Sequence, residues 1–341
     1  MSVSDVKKKT HFSDIKVGFI ADDILNLSKF EFFHNATFAL ILAAQELGLK
    51  ILLAESHSLK VLNNKVFAEF NDITLKKEFP EYLTINNRFQ LSVDELDILF
   101  ARKDPPVNQD YLTYLQILSL VSNNLFGEKR KSPLVINNPD GILKANEKLY
   151  ALNFKNFIPP TLVSSNILEM FDFISEHSEV VVKPLFKNSG EGVIYINKQK
   201  DKNIKQILGK SLSGESKIIV QKYIPGVING DKRIIILDGK PIGGILRIPQ
   251  KGEFRANIHR GAEVKSYNLS PEDIKLCEAL SYYLKRDGLY FTAIDVIDNY
   301  LIEINVTCPA GLQEVEQCTG NPVAKNIVEW ALSKVIPGLK V

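Results

Sequence analysis

The sequence predicts two structural classes in succession, an α/β half followed by an α+β half. The first half contains a β-α-β unit, because apolar runs at 16–21 and 50–54 have the length of buried strands and the helical segment between them begins at the capping residue Asn35. Further apolar runs at 97–101 and 133–137 extend this unit into a parallel sheet. No G-x-G-x-x-G motif follows the first strand, so a dinucleotide site has no support there.

The pattern changes beyond the turn cluster Pro139–Gly141, where short strands alternate with helices and hairpins. Strands at 180–184 and 193–196 flank a glycine-containing loop and predict a hairpin-like flap. The dipeptide Asp238-Gly239 favours positive φ angles and predicts a second hairpin. Ser270 begins a helix with a capping-box pattern and a proline at the first helical position. We therefore expect a domain boundary near residue 140.

Composition and charge restrict the possible functions. With 341 residues the chain is expected to hold two or three domains, and 45% hydrophobic with 24% charged residues indicate a globular protein. A formal net charge of +2 lacks the excess of a dedicated nucleic-acid-binding protein, so no nucleic-acid partner is expected. The longest apolar run, Phe38–Ala44, is too short to span a bilayer, so we expect no membrane partner and a cytoplasmic location. Without C-x-x-C spacing, Cys277, Cys308 and Cys318 are expected to be free thiols.

Carboxylate and amide side chains in two apolar strands form the clearest candidate site. Asp295 lies in a strand at 291–297, whereas Glu303 and Asn305 lie in a strand at 301–306. Their oxygens are ligands that Mg²⁺ prefers when it also binds phosphates. Glu303 and Asn305 share a strand face, and Asp295 joins that face only if the connection has three residues. The alternative, polar residues facing solvent, is disfavoured because both strands otherwise look buried.

Two lysines are candidate phosphate ligands. Lys183 ends a run of three valines, and Lys148 is expected on a helix that begins near Lys144. Lysines in apolar surroundings bind phosphate as compact point charges, although each of these alone is more often a solvated side chain. The loop 188–192 can add backbone N–H groups, but it contains only two glycines and is also typical of a flexible turn.

Arginines add a candidate anion site, because their forked donors stabilise the anionic oxygens that develop in acyl and phosphoryl transfer. Arg102 follows the third strand at the carboxyl edge of the sheet, where α/β sheets bind ligands; a proline turn with surface charge is the alternative. His259 receives no role, and no histidine lies near Cys308 in the sequence, so thiol catalysis is not expected. The other arginines lie in the hairpins and the following loop, at Arg233, Arg247, Arg255 and Arg260.

Six short motifs follow one another along nearly the whole chain after Lys16. They are R-K-D-P-P at 102–106, N-E-K-L at 146–149, V-K-P-L at 182–185, D-K-R at 231–233, R-I-P-Q at 247–250 and E-I-N-V-T at 303–307. In this order and spacing they closely resemble the prokaryotic glutathione synthetase family of the ATP-grasp superfamily. The resemblance implies a Rossmann-like substrate domain at 15–140, an ATP-grasp lid at 141–224 and a central ATP-grasp domain at 225–341. The tail at 1–14 has no apolar periodicity and is expected to be flexible.

The resemblance also implies an ATP- and Mg²⁺-dependent ligase that joins γ-glutamylcysteine to glycine through an acyl phosphate, with Mn²⁺ able to replace Mg²⁺. It implies a homo-oligomer, a tetramer in this family. The metal ligands fall on Asp295, Glu303 and Asn305, and substrate contacts on Arg102, Arg233 and Arg255. Catalytic roles fall on Arg247, Arg255 and Asn257. The ATP-binding positions fall on Lys148, Lys183, Gln221, Lys222, Tyr223, Ile224 and Asp231.

Departures from the family pattern keep two alternatives open. The lid loop reads Phe186-Lys-Asn-Ser-Gly190 in place of a glycine-rich run, and Asn35-Ala36-Thr37 replaces an acid followed by two hydroxyl residues. The segments 252–261 and 311–316 resemble a related family that adds glutamate to a ribosomal protein, and Thr307–Ala310 replaces the usual Thr-Ser-Pro-Thr. One alternative is therefore a ligase of altered specificity; the other is a non-catalytic nucleotide-binding regulator.

Overall fold

A computed structural model describes residues 14–22, 24–122 and 132–339. Nearly all of the tail predicted at 1–14 lies outside these residues. The described chain forms three sheets, of seven, four and five strands. None of the helices in the described ranges is long and apolar enough to cross a membrane. Fold class is as predicted, α/β followed by α+β, whereas the domain limits proposed from the sequence stay predictions.

The first sheet contains the predicted parallel strands. β1 (Lys16–Ile20), β2 (Lys50–Ala54), β6 (Ile98–Ala101) and β7 (Leu134–Ile136) lie in the order β2-β1-β6-β7. The Asn35 side chain accepts a hydrogen bond from the backbone N–H of Phe38 at 2.9 Å, which caps the helix between β1 and β2 as predicted. The helices of this half are α1 (Lys29–His34), α2 (Ala36–Glu46) and α3 (Gln109–Ser122).

Three strands of this sheet were not predicted from the sequence. β3 (Lys60–Leu62), β4 (Lys65–Leu75) and β5 (Leu83–Ser92) are antiparallel and extend the sheet beyond β2. Helix α1 was also missed, although Ser28 and Glu31 form a capping box at its start. These elements do not alter the parallel core, so the α/β class is confirmed.

The second sheet is antiparallel. It comprises β8 (Thr161–Ser164), β9 (Glu179–Pro184), β10 (Ile194–Asn197) and β11 (Ile218–Lys222), in the order β10-β9-β11-β8. The pair β9 and β10 is the predicted flap, with Val182 opposite Ile194. Helices α5 (Ile167–His177) and α6 (Ile204–Ser211) cover this sheet, and their apolar residues share one core with it.

The third sheet is also antiparallel and carries the predicted metal strands. Its strands are β12 (Asp231–Leu237), β13 (Lys240–Ile248), β14 (Glu263–Ser266), β15 (Phe291–Ile297) and β16 (Tyr300–Asn305), in the order β14-β13-β12-β15-β16. Asp238 and Gly239 both have positive φ, as the predicted hairpin requires. The remaining helices are α4 (Pro139–Lys144), α7 (Pro271–Arg286), α8 (Leu312–Thr319) and α9 (Val323–Val335).

Two local predictions near residue 140 are wrong. Pro139–Gly141 is the first turn of α4 rather than a turn cluster, because the Asn138 side chain caps a helix that has proline at its first position. That helix ends at Lys144, so Lys148 does not lie on a helix beginning there. Instead the Asn146 side chain accepts hydrogen bonds from the backbone N–H groups of Lys148 and Leu149, which makes a tight turn.

The first and third sheets share a core. Val17 and Phe19 of β1 belong to the same apolar cluster as Ile235 of β12 and Phe291 of β15. The buried side chain of Asn137 adds three hydrogen bonds between the end of β7 and the third sheet. The carboxyl edge of the parallel sheet is thereby held against the strands that carry Asp295 and Glu303.

Candidate active site

The third sheet aligns the charged residues of the predicted metal site. Asp295 lies opposite Glu303 of β16 on one side and opposite Arg233 of β12 on the other. Directly opposed residues project from the same face of an antiparallel sheet. Only Asp298-Asn299 joins the strands, so the three-residue connection that the sequence argument required for Asp295 to share this face is absent. A bulge at Ile302 supplies the register shift in its place.

Arginines hold the buried aspartates of this face. Arg233 donates two hydrogen bonds to Asp295, at 2.9 and 2.8 Å, and Arg247 lies 3.0 Å from the same carboxylate. Arg247 also donates to both oxygens of Asp231, at 2.6 and 2.7 Å. Burial and the charge of Asp295 raise the pKa of Asp231, whereas at Asp295 the two guanidinium groups outweigh burial and lower the pKa. The result is a fixed network with both signs of charge.

The two predicted phosphate lysines point toward the same face. Lys148, which is buried, lies 3.3 Å from a carboxylate oxygen of Glu303 and donates to the backbone carbonyl of Lys187 at 2.6 Å. Lys183 donates to the side-chain carbonyl of Gln221 at 2.8 Å. Burial lowers the pKa of Lys183 to about 8, against the opposing charge of Glu303. A phosphate here would give Lys183 a negatively charged partner in place of the neutral side-chain carbonyl of Gln221.

Gln221 binds Lys183, and Glu147 precedes Lys148 in the chain; only Gln221 was singled out from the sequence. The Gln221 amide group also donates to the hydroxyl of Thr161 at 2.9 Å, so its side chain is engaged at both ends. Glu147 accepts hydrogen bonds from the backbone N–H groups of Val306 and Thr307 and from the Thr307 hydroxyl. Burial raises the pKa of Glu147, with the charge of Glu303 adding to it. The sequence feature that points to Glu147 is its place next to Lys148 in the N-E-K-L motif.

The lid loop closes over this face. Arg255 lies 3.4 Å from the backbone carbonyl of Gly190 and pairs with Glu253 through two side-chain hydrogen bonds. Gly190 has a φ of +70°, and a Cβ at this position would lie 2.8 Å from the Asn257 side chain. The loop therefore needs glycine here for both its conformation and its close approach. Lys187 and Glu191 form an ion pair within the loop.

Arg102 lies at the other end of the site. Its side chain is buried and donates to the Thr37 hydroxyl at 3.0 Å and to the Pro309 carbonyl at 2.9 Å. Cys308 contacts the Arg102 carbonyl through its sulfur at 3.6 Å. Burial raises the pKa of the Cys308 thiol well above its usual range, which disfavours the thiolate that a nucleophile requires.

One cavity of about 410 Å³ connects these groups. Its walls include residues 187–190 of the lid loop, residues 221–224 at the end of β11, and Arg247 of β13. His259 also lines it, whereas Arg260 does not. All of the site residues predicted from the sequence line this cavity: Arg102, Lys148, Lys183, Gln221, Lys222, Tyr223, Ile224, Asp231, Arg233, Arg247, Arg255, Asn257, Asp295, Glu303 and Asn305.

The donor set fits a hard divalent cation. In the described ranges no group of three or more His, Cys, Asp or Glu side chains could hold a metal ion, and the predicted set has two acids and one amide. Asp295 and Glu303 share a face, and the amide nitrogen of Asn305 lies 3.5 Å from an Asp295 oxygen. A divalent cation bound here would share the Asp295 carboxylate with Arg233 and Arg247, and its other coordination positions would be open to water and phosphate.

Comparison with known proteins agrees with this geometry. The N-terminal domain of prokaryotic glutathione synthetase matches residues 15–142, and the ATP-grasp domain of prokaryotic glutathione synthetase matches residues 147–320. The glutathione synthetase of Nostoc sp. is 35% identical over 326 residues, covering 93% of this chain and 97% of the relative. That of Coxiella burnetii is 34% identical over 305 residues, covering 89% of this chain and 92% of the relative.

Solved structures share the fold at much lower identity. D-cycloserine synthetase DcsG superposes with a TM-score of 0.63 at 13% identity, covering 93% of this chain and 99% of that one. A RimK domain ATP-grasp protein from Sphaerobacter thermophilus gives a TM-score of 0.60 at 15% identity, covering 93% of this chain and all of its own. With the family matches and the cavity, these similarities show that the chain belongs to the prokaryotic glutathione synthetase family of ATP-dependent ATP-grasp ligases.

Proposed function

We propose that this ligase joins γ-glutamylcysteine to glycine with Mg·ATP, releasing ADP and phosphate. The observation that carries the proposal is that Lys148 and Lys183, four arginines and a hard-oxygen donor set converge in one cavity. Curated relatives that match along nine-tenths of the chain bear the name glutathione synthetase, which supports these substrates. Mg²⁺ is proposed as the metal on the chemistry of the donor set, with Mn²⁺ able to take the same ligands.

The reaction needs positioning and charge neutralisation rather than a protein nucleophile. The cysteinyl carboxylate of the donor attacks the γ-phosphorus of ATP, ADP leaves, and the amine of glycine then attacks the acyl phosphate and displaces phosphate. Lys148 and Lys183 bind phosphate oxygens as point charges. Asp295, Glu303 and Asn305 would hold a divalent cation, which would supply charge neutralisation at the phosphates.

The arginines stabilise the charge that develops at the carbonyl carbon. Arg247 and Arg255, with Asn257 beside them, face the acyl phosphate and the tetrahedral intermediate. Support comes from their fixed partners: Arg247 is held by Asp231 and Asp295, and Arg255 by Glu253. Such pre-organised donors need little rearrangement during the reaction. Arg233 and Arg102 bind the carboxylates of the donor substrate.

The nucleotide is proposed to lie between the second and third sheets. Lys222 is the last residue of β11, and Tyr223 and Ile224 follow it. All three line the cavity and form the proposed adenine-binding segment. The side chain of Gln221 is occupied by Lys183 and Thr161, so it acts mainly by orienting Lys183. Asp231 is assigned to the ribose, which it can reach only by sharing its oxygens with Arg247.

Closure of the lid loop protects the acyl phosphate from water. The contacts of Lys187 with Lys148 and of Gly190 with Arg255 tie the loop to both walls of the cavity. Excluding water matters because an acyl phosphate hydrolyses readily and would waste ATP. The bulky Phe186, which is exposed, lies outside the cavity lining and does not fill the phosphate region.

The experiment is phosphate release measured over a matrix of substrates. The acyl donors are γ-glutamylcysteine, free glutamate and a glutamate-ended peptide, each with several amino-acid acceptors. Turnover that is highest with γ-glutamylcysteine and glycine supports the proposal. Turnover with another pair and none with this one would reject it in favour of a ligase of altered specificity. The same preparation, run by analytical ultracentrifugation, tests the tetramer expected from the family.

A further inference from the structure

One acidic side chain in the cavity wall lacks the partners that its neighbours have. Glu314, in the first turn of α8, has an exposed side-chain fraction of only 5%, and it lines the cavity. Its Oε1 atom lies 2.6 Å from Nδ1 of His34, while its buried Oε2 has no hydrogen-bond partner among the residues that the structure describes. Leaving a buried carboxylate oxygen unpaired is costly, so the site favours a ligand with N–H donors.

Other acidic residues of the same wall are matched within the protein. Glu31 accepts from the backbone N–H of Ser28, and Glu147 accepts from three donors of the 306–307 segment. Asp231 and Asp295 are held by arginines, and Glu303 lies beside Lys148. Among the buried carboxylate oxygens of this wall that the structure describes, Oε2 of Glu314 is the one without a hydrogen-bond partner, so Glu314 has capacity left for a substrate.

The surroundings of Glu314 contain a complementary cation. Arg102 donates to the carbonyl of Pro309, five residues before Glu314, and to Thr37, three residues after His34. The same two segments meet again where the Gln313 amide donates to the carbonyl of Phe32. A guanidinium and an under-coordinated carboxylate therefore occur in neighbouring parts of one cavity wall. This combination matches a zwitterionic amino-acid group, which has one ammonium and one carboxylate.

We propose that Glu314 binds the α-ammonium group of the acyl donor. This inference rests on the proposed function, because γ-glutamylcysteine keeps a free α-ammonium on its glutamyl end. The amine of glycine cannot be the occupant in the productive complex, since it must lose its charge to attack. An ammonium offers three N–H donors, enough for the unpartnered oxygen and for other acceptors nearby. His34 is a positioning residue, because its Nδ1 atom contacts Oε1, the other oxygen of the Glu314 carboxylate.

The test compares γ-glutamylcysteine with N-glutaryl-cysteine, which has the same chain without the α-amino group. For the wild-type enzyme, kcat/KM is expected to be about 100-fold higher for γ-glutamylcysteine, because a buried polar group left unpaired penalises the analogue. In Glu314→Gln this ratio should fall about tenfold or more, mainly through a raised KM for γ-glutamylcysteine, while the KM for ATP stays unchanged. Glu314→Asp should keep most of the preference.

Glu316→Gln is the matched control, since Glu316 lies on the same helix but does not line the cavity. A wild-type ratio below about tenfold, or a Glu314→Gln ratio equal to that of wild type, would overturn the assignment while leaving the proposed function intact. A wild-type ratio below about tenfold needs no variant, so it overturns the assignment even if Glu314→Gln fails to fold; Glu314→Asp then tests a high ratio in a folded protein. Absence of wild-type turnover with γ-glutamylcysteine and glycine would instead overturn the proposed function, and the assignment with it.

Discussion

Asn137 joins the parallel sheet to the strands of the active site, and replacing it with alanine should destabilise the whole protein. Its amide nitrogen donates to the backbone carbonyls of Phe291 and Val306, at 2.6 and 2.8 Å. Its side-chain oxygen accepts from the backbone N–H of Phe291 at 2.8 Å. Phe291 begins β15, which carries Asp295, and Val306 directly follows β16, which carries Glu303 and Asn305.

The expected magnitude follows from these three bonds. Asn137 is 3% exposed, so Asn137→Ala leaves up to three buried backbone groups without a partner. Each such group costs about 1–3 kcal/mol, and water entering the small cavity recovers part of the loss. We expect the free energy of unfolding to fall by about 3–5 kcal/mol. Ligase activity at low temperature should also decrease, because the metal strands lose an anchor.

Urea denaturation followed by intrinsic fluorescence measures the change, and Asn86→Ala is the control. Asn86 is exposed and bonds only to the side chains of Asp72 and Thr74 in the described structure, so its removal should change stability by less than about 0.5 kcal/mol. If Asn137→Ala loses less than about 1 kcal/mol, the bonds do not tie the sheets together as inferred.

Further predictions concern three charged residues. Glu303→Gln should reduce kcat at least about 100-fold in a protein that still folds, because the metal site loses one charge while Lys148 keeps its bond to the Lys187 carbonyl; normal turnover would reject the assignment. Lys183→Met should lose most of the thermal stabilisation given by a non-hydrolysable ATP analogue, whereas the exposed Lys240→Met should keep it. Because the pKa of Lys183 is about 8, the wild type must take up a proton to bind the analogue above pH 8, and its affinity should fall as pH rises. Titration calorimetry should show this fall in wild type and not in Lys183→Arg. Asp273→Asn should lower the free energy of unfolding, measured by urea denaturation, by about 3–5 kcal/mol, because the buried Lys232 loses its charged partner. The hydrogen-bond partners of Asp273 lower its pKa in the folded protein. The extra stability of the wild type is therefore present above the unfolded pKa near 3.8 and is lost as pH falls through the lower folded pKa.

The sequence by itself was sufficient wherever structure depends on neighbours along the chain. The Asn35 cap, the Ser270 capping box and the Asp238-Gly239 turn are local signals, and each is present as predicted. The motifs also located the cavity-lining residues, because each part of the site is a short segment whose residues lie next to one another in the sequence. The hairpin of β4 and β5 was missed even though β4 alternates buried and exposed residues along much of its length.

Only the tertiary structure decided how distant segments meet. Whether Asp295 faces Glu303 depends on the extra residue Ile302, and strand register is set by pairing and packing that no local pattern encodes. The pairing of His34 with Glu314 joins positions 280 residues apart, and the bonds of Asn137 span more than 150. Such contacts form because a buried polar group cannot bond to bulk water. Its hydrogen-bond partner must then come from another segment that the fold places beside it.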